Sequence, residues 1–310
     1  MDAFADLLRG VRANGSVFGH QVLSPPWSLR FVDGAPLTLC ALLEGEGWIV
    51  ADGQPPLRIT VGETVIVRGP LPFTFVDDPA TTAPPLDCGE HCALPENGGT
   101  VHHLGWQCAD PDGSTTLIVG AYPVRGDIGK RLLDALPQVL AVTDDEATAA
   151  VCEYVAAEVA DDRPGHQVVL DRLLDWMLVC TLRGWFGRAE TTAPGWYTAM
   201  SDPLVGETLR LMHDDPSRPW TVAQLAARVG VSRSAFARRF TTLVGQPPLA
   251  YLTHWRMTIA ADLLVEPEAT VADVARRVGY ADAFNFSAAF KRVKGMSPSN
   301  HRAQLVTSRS

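Results

Sequence analysis

The sequence predicts an α+β protein of several domains, with a β-rich N-terminal domain, a helical connector and an all-α C-terminal domain. Three observations lead to this prediction. After a short amphipathic helix near the N-terminus, short apolar runs between turn residues extend from Val17 to about Val124. Helical periodicity begins near Ile128, and the last ninety residues contain one motif twice. A chain of 310 residues is long enough for two separate hydrophobic cores.

The β-rich domain is predicted for residues 1–126. Apolar runs such as 37–43 and 64–67 have the length of strands, and Asp-Gly pairs between such runs provide turns. This spacing of runs and turns is typical of a β-barrel or a sandwich. A segment rich in Pro, Gly and Thr, residues 77–99, is predicted to form a long loop.

The helical connector is predicted for residues 127–200. Leu132, Leu136 and Val139 are three of the apolar residues that recur there at helical spacing. Few of its side chains are suited to catalysis or ligand binding. Helix packing or homodimerisation is therefore the predicted role of the connector.

The C-terminal domain, residues 201–310, contains the repeated motif. Residues 221–230 read TVAQLAARVG and residues 270–279 read TVADVARRVG, at an offset of 49. Each copy continues with two phenylalanines four residues apart and then a glycine and a proline, now at an offset of 50. A helix, a turn at the glycine and a second helix, repeated once, predict two helix-turn-helix motifs that read DNA.

In the first motif, the second helix is predicted to bury Phe236 and Phe240. Arg238 is then placed to make a bidentate contact to guanine in the major groove, and Arg233 and Arg239 are placed to contact phosphates. The full set of residues predicted to face DNA is Arg233, Ser234, Ala237, Arg238, Arg239 and Thr241.

In the second motif, Phe286 and Phe290 are predicted to be buried, and Asn285 is a candidate for reading an adenine edge. A linking helix over residues 248–264, about 25 Å long, would hold the two reading helices near one DNA turn apart. The residues predicted to face DNA are Ala283, Asn285, Ser287, Ala288 and Lys291. Three basic residues are predicted to contact phosphates, namely Lys291, Arg292 and Lys294.

Charge is distributed unevenly along the chain. Residues 219–310 contain twelve Lys and Arg against five Asp and Glu, and the rest of the chain contains 14 against 30. Such asymmetry indicates a basic nucleic-acid-binding module joined to an acidic module. Because neither a membrane span nor a secretory leader is evident, we expect a soluble cytoplasmic protein with no membrane partner and reduced cysteines.

Residues 219–303 resemble the DNA-binding domain of the AraC/XylS family of bacterial transcription regulators. The closing signature of that family, Gly-x-Ser-Pro-x-x-aromatic-Arg, corresponds to GMSPSNHR at 295–302, where His301 replaces the aromatic residue. The resemblance implies double-stranded promoter DNA as a partner, and RNA polymerase as a second partner if the protein is an activator. Many members carry arginine where Ala288 stands, which implies weaker base reading by the second motif.

The N-terminal domain resembles, less extensively, the cupin-type sensor barrel of one branch of the same family. Residues 15–18, 24–27 and 61–64 carry this resemblance. It implies a cupin-like β-barrel that receives a signal. Catalytic cupins hold a metal with barrel histidines, and the corresponding residues 68–75 contain none, so the domain is predicted to be a pocket and not an enzyme.

A cluster of cysteines and histidines lies in and beside the predicted loop. It could bind zinc or form a disulfide on oxidation, or it could be a plain loop with incidental cysteines. No cofactor is otherwise required. If the loop is a sensor, Cys88, Cys92 and Cys108 are expected to be the solvent-accessible thiols. Cys40, Cys152 and Cys180 are expected in the core. The cluster consists of Cys88, His91, Cys92, His102, His103 and Cys108.

These observations predict a sequence-specific DNA-binding transcription regulator whose N-terminal domain senses a small molecule, a metal or a redox signal. Trp27 and Trp48 are predicted to line a pocket for an unknown effector if the cluster is inert. One alternative is a cupin-type metalloenzyme fused to a DNA-binding domain. Another is a DNA-binding protein that senses no signal.

Overall fold

The computed structural model describes residues 2–9, 11, 21–23, 25–32, 34–88, 115–160, 164–188, 193–266 and 268–307. No helix in this part of the chain is long and apolar enough to cross a membrane. The helices and strands are, in chain order, α1 (Ala3–Leu8), β1 (Gln21–Leu23), β2 (Ser28–Phe31), β3 (Leu37–Glu44), β4 (Glu46–Ala51), β5 (Leu57–Thr60), β6 (Glu63–Arg68), β7 (Phe73–Val76), β8 (Leu86–Asp87), β9 (Thr115–Tyr122), α2 (Gly126–Leu133), β10 (Val139–Thr143), α3 (Glu146–Ala160), α4 (His166–Gly187), α5 (Gly195–Thr198), a 3₁₀ turn (Ala199–Ser201), α6 (Val205–Asp214), α7 (Val222–Arg228), α8 (Arg233–Val244), α9 (Pro248–Leu263), α10 (Val271–Arg277), α11 (Ala283–Lys294) and α12 (Pro298–Thr307).

The chain divides into two compact units, and neither is one continuous stretch of sequence. The sheet unit comprises residues 11–124 and 136–191, and the helical unit comprises residues 1–10, 125–135 and 192–310. The sequence had suggested three consecutive segments. Instead, helices α3 and α4 fold with the sheets, whereas α1 and α2 fold with the C-terminal helices.

The sheet unit contains two five-stranded sheets, with strand orders β1-β9-β3-β6-β10 and β5-β4-β7-β2-β8. Neighbouring strands pair antiparallel except β2 and β8, which run parallel. The predicted α+β architecture is confirmed, but the sheets do not close into the predicted cupin-like β-barrel, because no strand pairing joins them among the described residues. Strands β3 and β4 are separated by Gly45 alone, whose φ of 78° turns the chain from one sheet into the other.

One apolar core is shared by the two sheets. Along β4 the buried and half-buried residues alternate, as expected for a strand with one face on a core. The prediction that Cys40 is a core residue is confirmed, since only 1% of its surface is exposed. The buried members of this core include Leu29, Phe31, Cys40, Leu42, Ile49, Ile59, Val65, Val67, Phe73, Phe75, Leu117 and Val119.

The long helix α4 is fixed to the sheet unit by hydrogen bonds to and from its neighbours. The hydroxyl of Tyr122, at the end of β9, donates to the carbonyl of Leu174 at 2.8 Å. Past the end of α4, Arg188 donates to the carbonyl of Ala141 in β10 at 2.8 Å. The helix that the sequence placed in a connector is thus an integral layer of the sheet unit.

In the helical unit, α9 links two helix-turn-helix motifs, as the sequence predicted for residues 248–264. The core of the first motif contains Phe236 and Phe240 of α8 with Tyr251 of α9, all at most 1% exposed. The second core contains Phe286 and Phe290 of α11, which are fully buried. The aromatic pair that recurs at an offset of 50 therefore anchors both motifs.

Three buried polar side chains tie α1 to α6 and α9 within the helical unit. Nδ1 of His213 lies 2.7 Å from a carboxylate oxygen of Asp6, and Nε2 of His213 lies 2.8 Å from the hydroxyl of Tyr251. A neutral imidazole satisfies both bonds if Nδ1 donates and Nε2 accepts. Arg131 of α2 lies over the Tyr251 ring, 5.3 Å from its centroid.

The stability of the helical unit is expected to fall as the pH drops below about 6.5. Burial lowers the pKa of His213, assisted by the charge of Arg131, although Asp6 opposes this shift. The unfolded chain therefore binds a proton at a pH where folded His213 does not, so acid favours unfolding. Urea unfolding of the full chain and of His213→Gln between pH 7.5 and 5.5 measures this, and the variant should lose part of the pH dependence. Identical slopes for the two chains would contradict the expectation.

Candidate nucleic-acid interface

Local capping fixes where the reading helix of the first motif begins. Thr221 caps α7, accepting from the backbone of Gln224 while the Gln224 side chain accepts from the backbone of Thr221. Gly230 then turns the chain with a φ of 70°. Ser232 caps α8, its hydroxyl accepting from the backbone N–H of Ala235.

The outer face of α8 is polar and basic. Because Phe236 and Phe240 face the core, side chains on the opposite side of the helical wheel, such as Arg238, face away from it. Ala237 is half-buried and sits beside this face. The exposed predicted residues of α8 are Arg233, Ser234, Arg238, Arg239 and Thr241.

The two neighbouring arginines of α8 differ in their surroundings. Nε of Arg239 donates to the carboxylate of Asp202 at 2.9 Å, and this bond raises the pKa of Arg239 and lowers that of Asp202. Arg238 is exposed and makes no hydrogen bond or ion pair with any residue that the structure describes. The guanidinium of Arg238 is therefore not engaged by any described residue, whereas that of Arg239 is bonded to Asp202.

The reading helix of the second motif, α11, satisfies most of its own polar groups. Asp282 caps the helix, and the side-chain amide of Asn285 donates to the Asp282 carboxylate at 2.6 Å. The hydroxyl of Ser287 donates to the carbonyl of Ala283 at 2.7 Å. Ala288 is exposed and offers no hydrogen-bonding group. The predicted readers of this helix therefore have part of their hydrogen-bonding capacity engaged within the helix, although the exposed Asn285 amide keeps its carbonyl oxygen and one N–H.

The basic end of α11 is partly engaged inside the helical unit. Lys291 and Arg292 are exposed, but the half-buried Lys294 forms an ion pair with Asp127 of α2. The N-terminus of α2 is held in turn by Asp262 of α9, which accepts from the backbone N–H of Asp127 at 2.5 Å and from that of Ile128 at 3.2 Å.

One exposed residue of α11 was missed by the sequence reasoning. Phe284 is 83% exposed and lies between Ala283 and Asn285, both of which had been predicted to face DNA. The repeat itself contained the signal that could have found it. At the offset of 50 that aligns Phe236 with Phe286, Phe284 corresponds to Ser234 of the first motif.

The structure places one member of the cysteine and histidine cluster. Cys88 follows β8, its backbone N–H donates to the carbonyl of Arg30 at 2.6 Å, and it packs in the sheet core. The expectation that Cys88 is exposed was wrong, because β8 pairs with β2 and draws the thiol inward. The other members, His91, Cys92, His102, His103 and Cys108, lie outside the described residues. Within the described ranges, no three His, Cys, Asp or Glu side chains form a metal site.

The remaining cysteines are buried or half-buried. Cys152 and Cys180, which were predicted to be core residues, are half-buried on α3 and α4. Burial raises the pKa of Cys152 to about 12, with a contribution from Asp144. A thiol with so high a pKa is almost entirely protonated near neutral pH and is a poor nucleophile.

The two tryptophans proposed for an effector pocket do not share a surface. Trp27 is buried in the sheet core, its ring 5.2 Å from that of Phe75 between centroids. Trp48 lies between Gly47 and Ile49, whose side of β4 is buried, so it is on the opposite face of that strand. Among the described residues, the indole N–H of Trp27 is buried without a hydrogen-bond partner.

Comparisons with known proteins agree with this architecture. A cupin family model matches residues 2–187, and a helix-turn-helix domain model matches residues 225–304. A putative AraC-like transcription regulator of Streptomyces lividans is 33% identical over 307 residues, covering 97% of this chain and 98% of that protein. A protein of the same description from Streptomyces antibioticus is 32% identical over 311 residues, with 97% and 98% covered. The RCS-specific HTH-type transcriptional activator RclR of Escherichia coli (strain K12) is 28% identical over 312 residues, with 98% of both chains covered.

A cupin-like sheet unit joined to two helix-turn-helix motifs defines a DNA-binding transcription regulator. The alternative of a metalloenzyme gains no support, since all three of these relatives are named as regulators or activators of transcription. The chain belongs to the family of AraC-like transcription regulators.

Proposed function

We propose that α8 and α11 enter successive major grooves of promoter DNA and that Arg238 is the principal base-reading residue. The observation that carries this proposal is the guanidinium of Arg238, which is exposed opposite the buried Phe236 and Phe240 and is bonded to no residue in the described ranges. Arginine binds the O6 and N7 atoms of guanine through two parallel hydrogen bonds. Because its partner is chromosomal DNA, we expect the protein to act in the cytoplasm.

Phosphate contacts are assigned to the remaining exposed cations of both reading helices. Arg233, Lys291 and Arg292 are exposed and free of ion pairs among the described residues. Arg239 and Lys294 can join them only by leaving Asp202 and Asp127. These contacts position the protein on the duplex and carry no sequence information themselves.

Binding of the full chain to its site is expected to weaken steeply with salt. Each cation that neutralises a phosphate adds about −0.9 to the slope of log K against log salt concentration. Arg233→Ala and Arg292→Ala should each flatten the slope by about that amount. Arg58→Ala removes the same charge from an exposed site in the sheet unit and serves as the control. Slopes equal to that of the control would refute the assigned phosphate contacts.

The sheet unit is the proposed sensor, and its signal is a small molecule, a metal or an oxidant. A cupin match over residues 2–187 and a relative named as an RCS-specific activator support a sensing role. Zinc would be held by side chains of the Cys88–Cys108 cluster, and an oxidant would join two of its thiols. A small-molecule effector would instead use the sheet core near Trp27, whose buried indole N–H is open to a hydrogen bond among the described residues.

Native mass spectrometry of the full chain separates these signals. Bound zinc adds about 63 Da net of two protons, whereas a disulfide removes about 2 Da. Serine at Cys88, Cys92 and Cys108 together should abolish either change, and Cys180→Ser is the matched control. If the triple variant keeps the promoter response of the natural chain, the cluster is not the sensor. If none of these signals changes the DNA affinity, the protein is a DNA-binding protein that senses no signal.

Homodimerisation is proposed through α3 and α4. Tyr154, Val168 and Val169 are 70%, 62% and 43% exposed, and Trp176 is 37% exposed. Exposed apolar side chains grouped on two adjacent helices are typical of protein interfaces. Sedimentation of the full chain tests the proposal, because Trp176→Ala together with Tyr154→Ala should shift a dimer to monomer.

RNA polymerase is the further partner if the protein activates transcription, as the relative from Escherichia coli is named to do.

A further inference from the structure

The exposed Phe284 is left unexplained by the folding of the helical unit. At 83% exposure it is the most exposed large apolar side chain among the described residues, and it is the second residue of α11. Leaving an aromatic side chain in water forgoes the free energy of its burial. A contact made only with a partner would recover that free energy.

The internal repeat places Phe284 on the surface that reads DNA. At the offset of 50 it matches Ser234, and Ala288 matches Arg238. Ser234 and Arg238 are both exposed on α8, one helical turn apart. Phe284 and Ala288 have the same spacing on α11 and are also exposed. The second helix therefore presents an apolar pair where the first presents a hydroxyl and a guanidinium.

Part of the hydrogen-bonding capacity of this part of α11 is used within the helix. The Asn285 amide donates to Asp282, and the Ser287 hydroxyl donates to a backbone carbonyl. Further along the helix, Lys291 and Arg292 are exposed and complementary to phosphates. The helix thus has cations to position it on a duplex, but an apolar surface where bases would be read.

We propose that Phe284 contacts the C5-methyl group of a thymine in the major groove, flanked by Ala288. The thymine methyl is the apolar group that base edges present in that groove, and N-terminal residues of a reading helix are the ones that reach base edges. The inference rests on the proposed entry of α11 into the groove. It gives the second half-site a defined specificity, for thymine over cytosine at one position.

Uracil substitution tests the proposal directly, because uracil pairs as thymine does but lacks the methyl group. The full chain first selects its site from random duplexes, and each thymine of the second half-site is then replaced by uracil in turn. One replacement is expected to lower the affinity of the natural chain about fourfold, the effect of one buried methyl group. The same replacement should not affect Phe284→Ala. Phe284→Leu should retain part of the uracil effect.

Two further variants serve as controls. Ser234→Ala changes the equivalent residue of the first motif and should keep the full uracil effect in the second half-site. Lys291→Ala should weaken binding to thymine and uracil sites by the same factor. A uracil effect that persists in Phe284→Ala would overturn the proposal.

Other outcomes separate this inference from the function on which it rests. Unchanged DNA affinity in Phe284→Ala with loss of transcription would assign Phe284 to a protein partner and overturn the methyl contact. A dimer that dissociates in Phe284→Ala would do the same. If the natural chain selects no sequence at all, the proposed DNA reading itself fails. Selection of a site with no uracil effect at any thymine overturns this inference alone.

Discussion

Replacing Phe286 by alanine is expected to lower the free energy of unfolding by about 3–5 kcal/mol, the usual cost of emptying an aromatic site in a core. Phe286 is fully buried in α11, and its ring lies 5.8 Å from that of Tyr280 and 5.7 Å from that of Phe290 between centroids. Removing it leaves a cavity between two helices that cannot close fully. Urea unfolding of the full chain, followed by helical circular dichroism, measures the loss.

Phe284→Ala is the matched control for this variant. It makes the same chemical change two residues away in the same helix, where the side chain is 83% exposed. Its effect on the unfolding free energy should stay within about 0.5 kcal/mol. If Phe286→Ala does not fold, Phe286→Leu, which removes less volume, should show a smaller loss in the same direction. Equal losses for Phe284→Ala and Phe286→Ala would contradict the burial described for α11.

The tandem motifs could be predicted from sequence because the residues that specify each motif lie close together in the chain. Apolar residues at helical spacing, a glycine at each turn and paired phenylalanines specify each motif within about thirty residues. The capping residues Thr221 and Ser232 act over three residues and are equally visible in the sequence. Phe284 was missed, although the repeat aligns it with the exposed Ser234.

The sequence did not predict which segments form the helical unit, because their association depends on contacts between residues far apart in the chain. Asp262 caps α2 across 135 positions, and Asp6 reaches His213 across 207. No local pattern marks such pairs. Gly126 shows how closely α2 and α9 approach each other at this contact. Its φ is 75°, and a Cβ there would lie 2.5 Å from the Asp262 carboxylate. The burial of Cys88 was missed for a similar reason. The residues around it in the sequence are polar, and the pairing of β8 with the distant strand β2 was not predicted from them.

An ion pair between α2 and α11 is another of these long-range contacts. Strand β9 of the sheet unit leads directly into α2, which carries Asp127. Asp127 pairs with Lys294 at the end of the second reading helix, so this lysine is held away from other anions.

Arg238→Ala is expected to cost about 1–3 kcal/mol of binding free energy and to relax specificity at one base pair. The loss should be large on the preferred site and small on a site already altered at that position, because only the preferred base accepts both hydrogen bonds. Fluorescence anisotropy with the four duplexes that differ at each position of the first half-site measures this. Uniform weakening across all four would show that Arg238 contacts phosphate and not a base.

Arg239→Ala is the matched control, since it removes the same side chain from the next residue of α8. Its guanidinium is bonded to Asp202, and releasing it costs that charge-assisted bond before a phosphate is gained. We therefore expect a smaller loss for Arg239→Ala, equal for all four duplexes. Asp202→Asn weakens the competing bond and should strengthen binding to every sequence without changing the preferred base. We expect only Arg238→Ala to change the base preference, whereas Arg239→Ala and Asp202→Asn change the affinity for all sequences equally. That result would separate base reading by Arg238 from phosphate contact by Arg239 on the same helix.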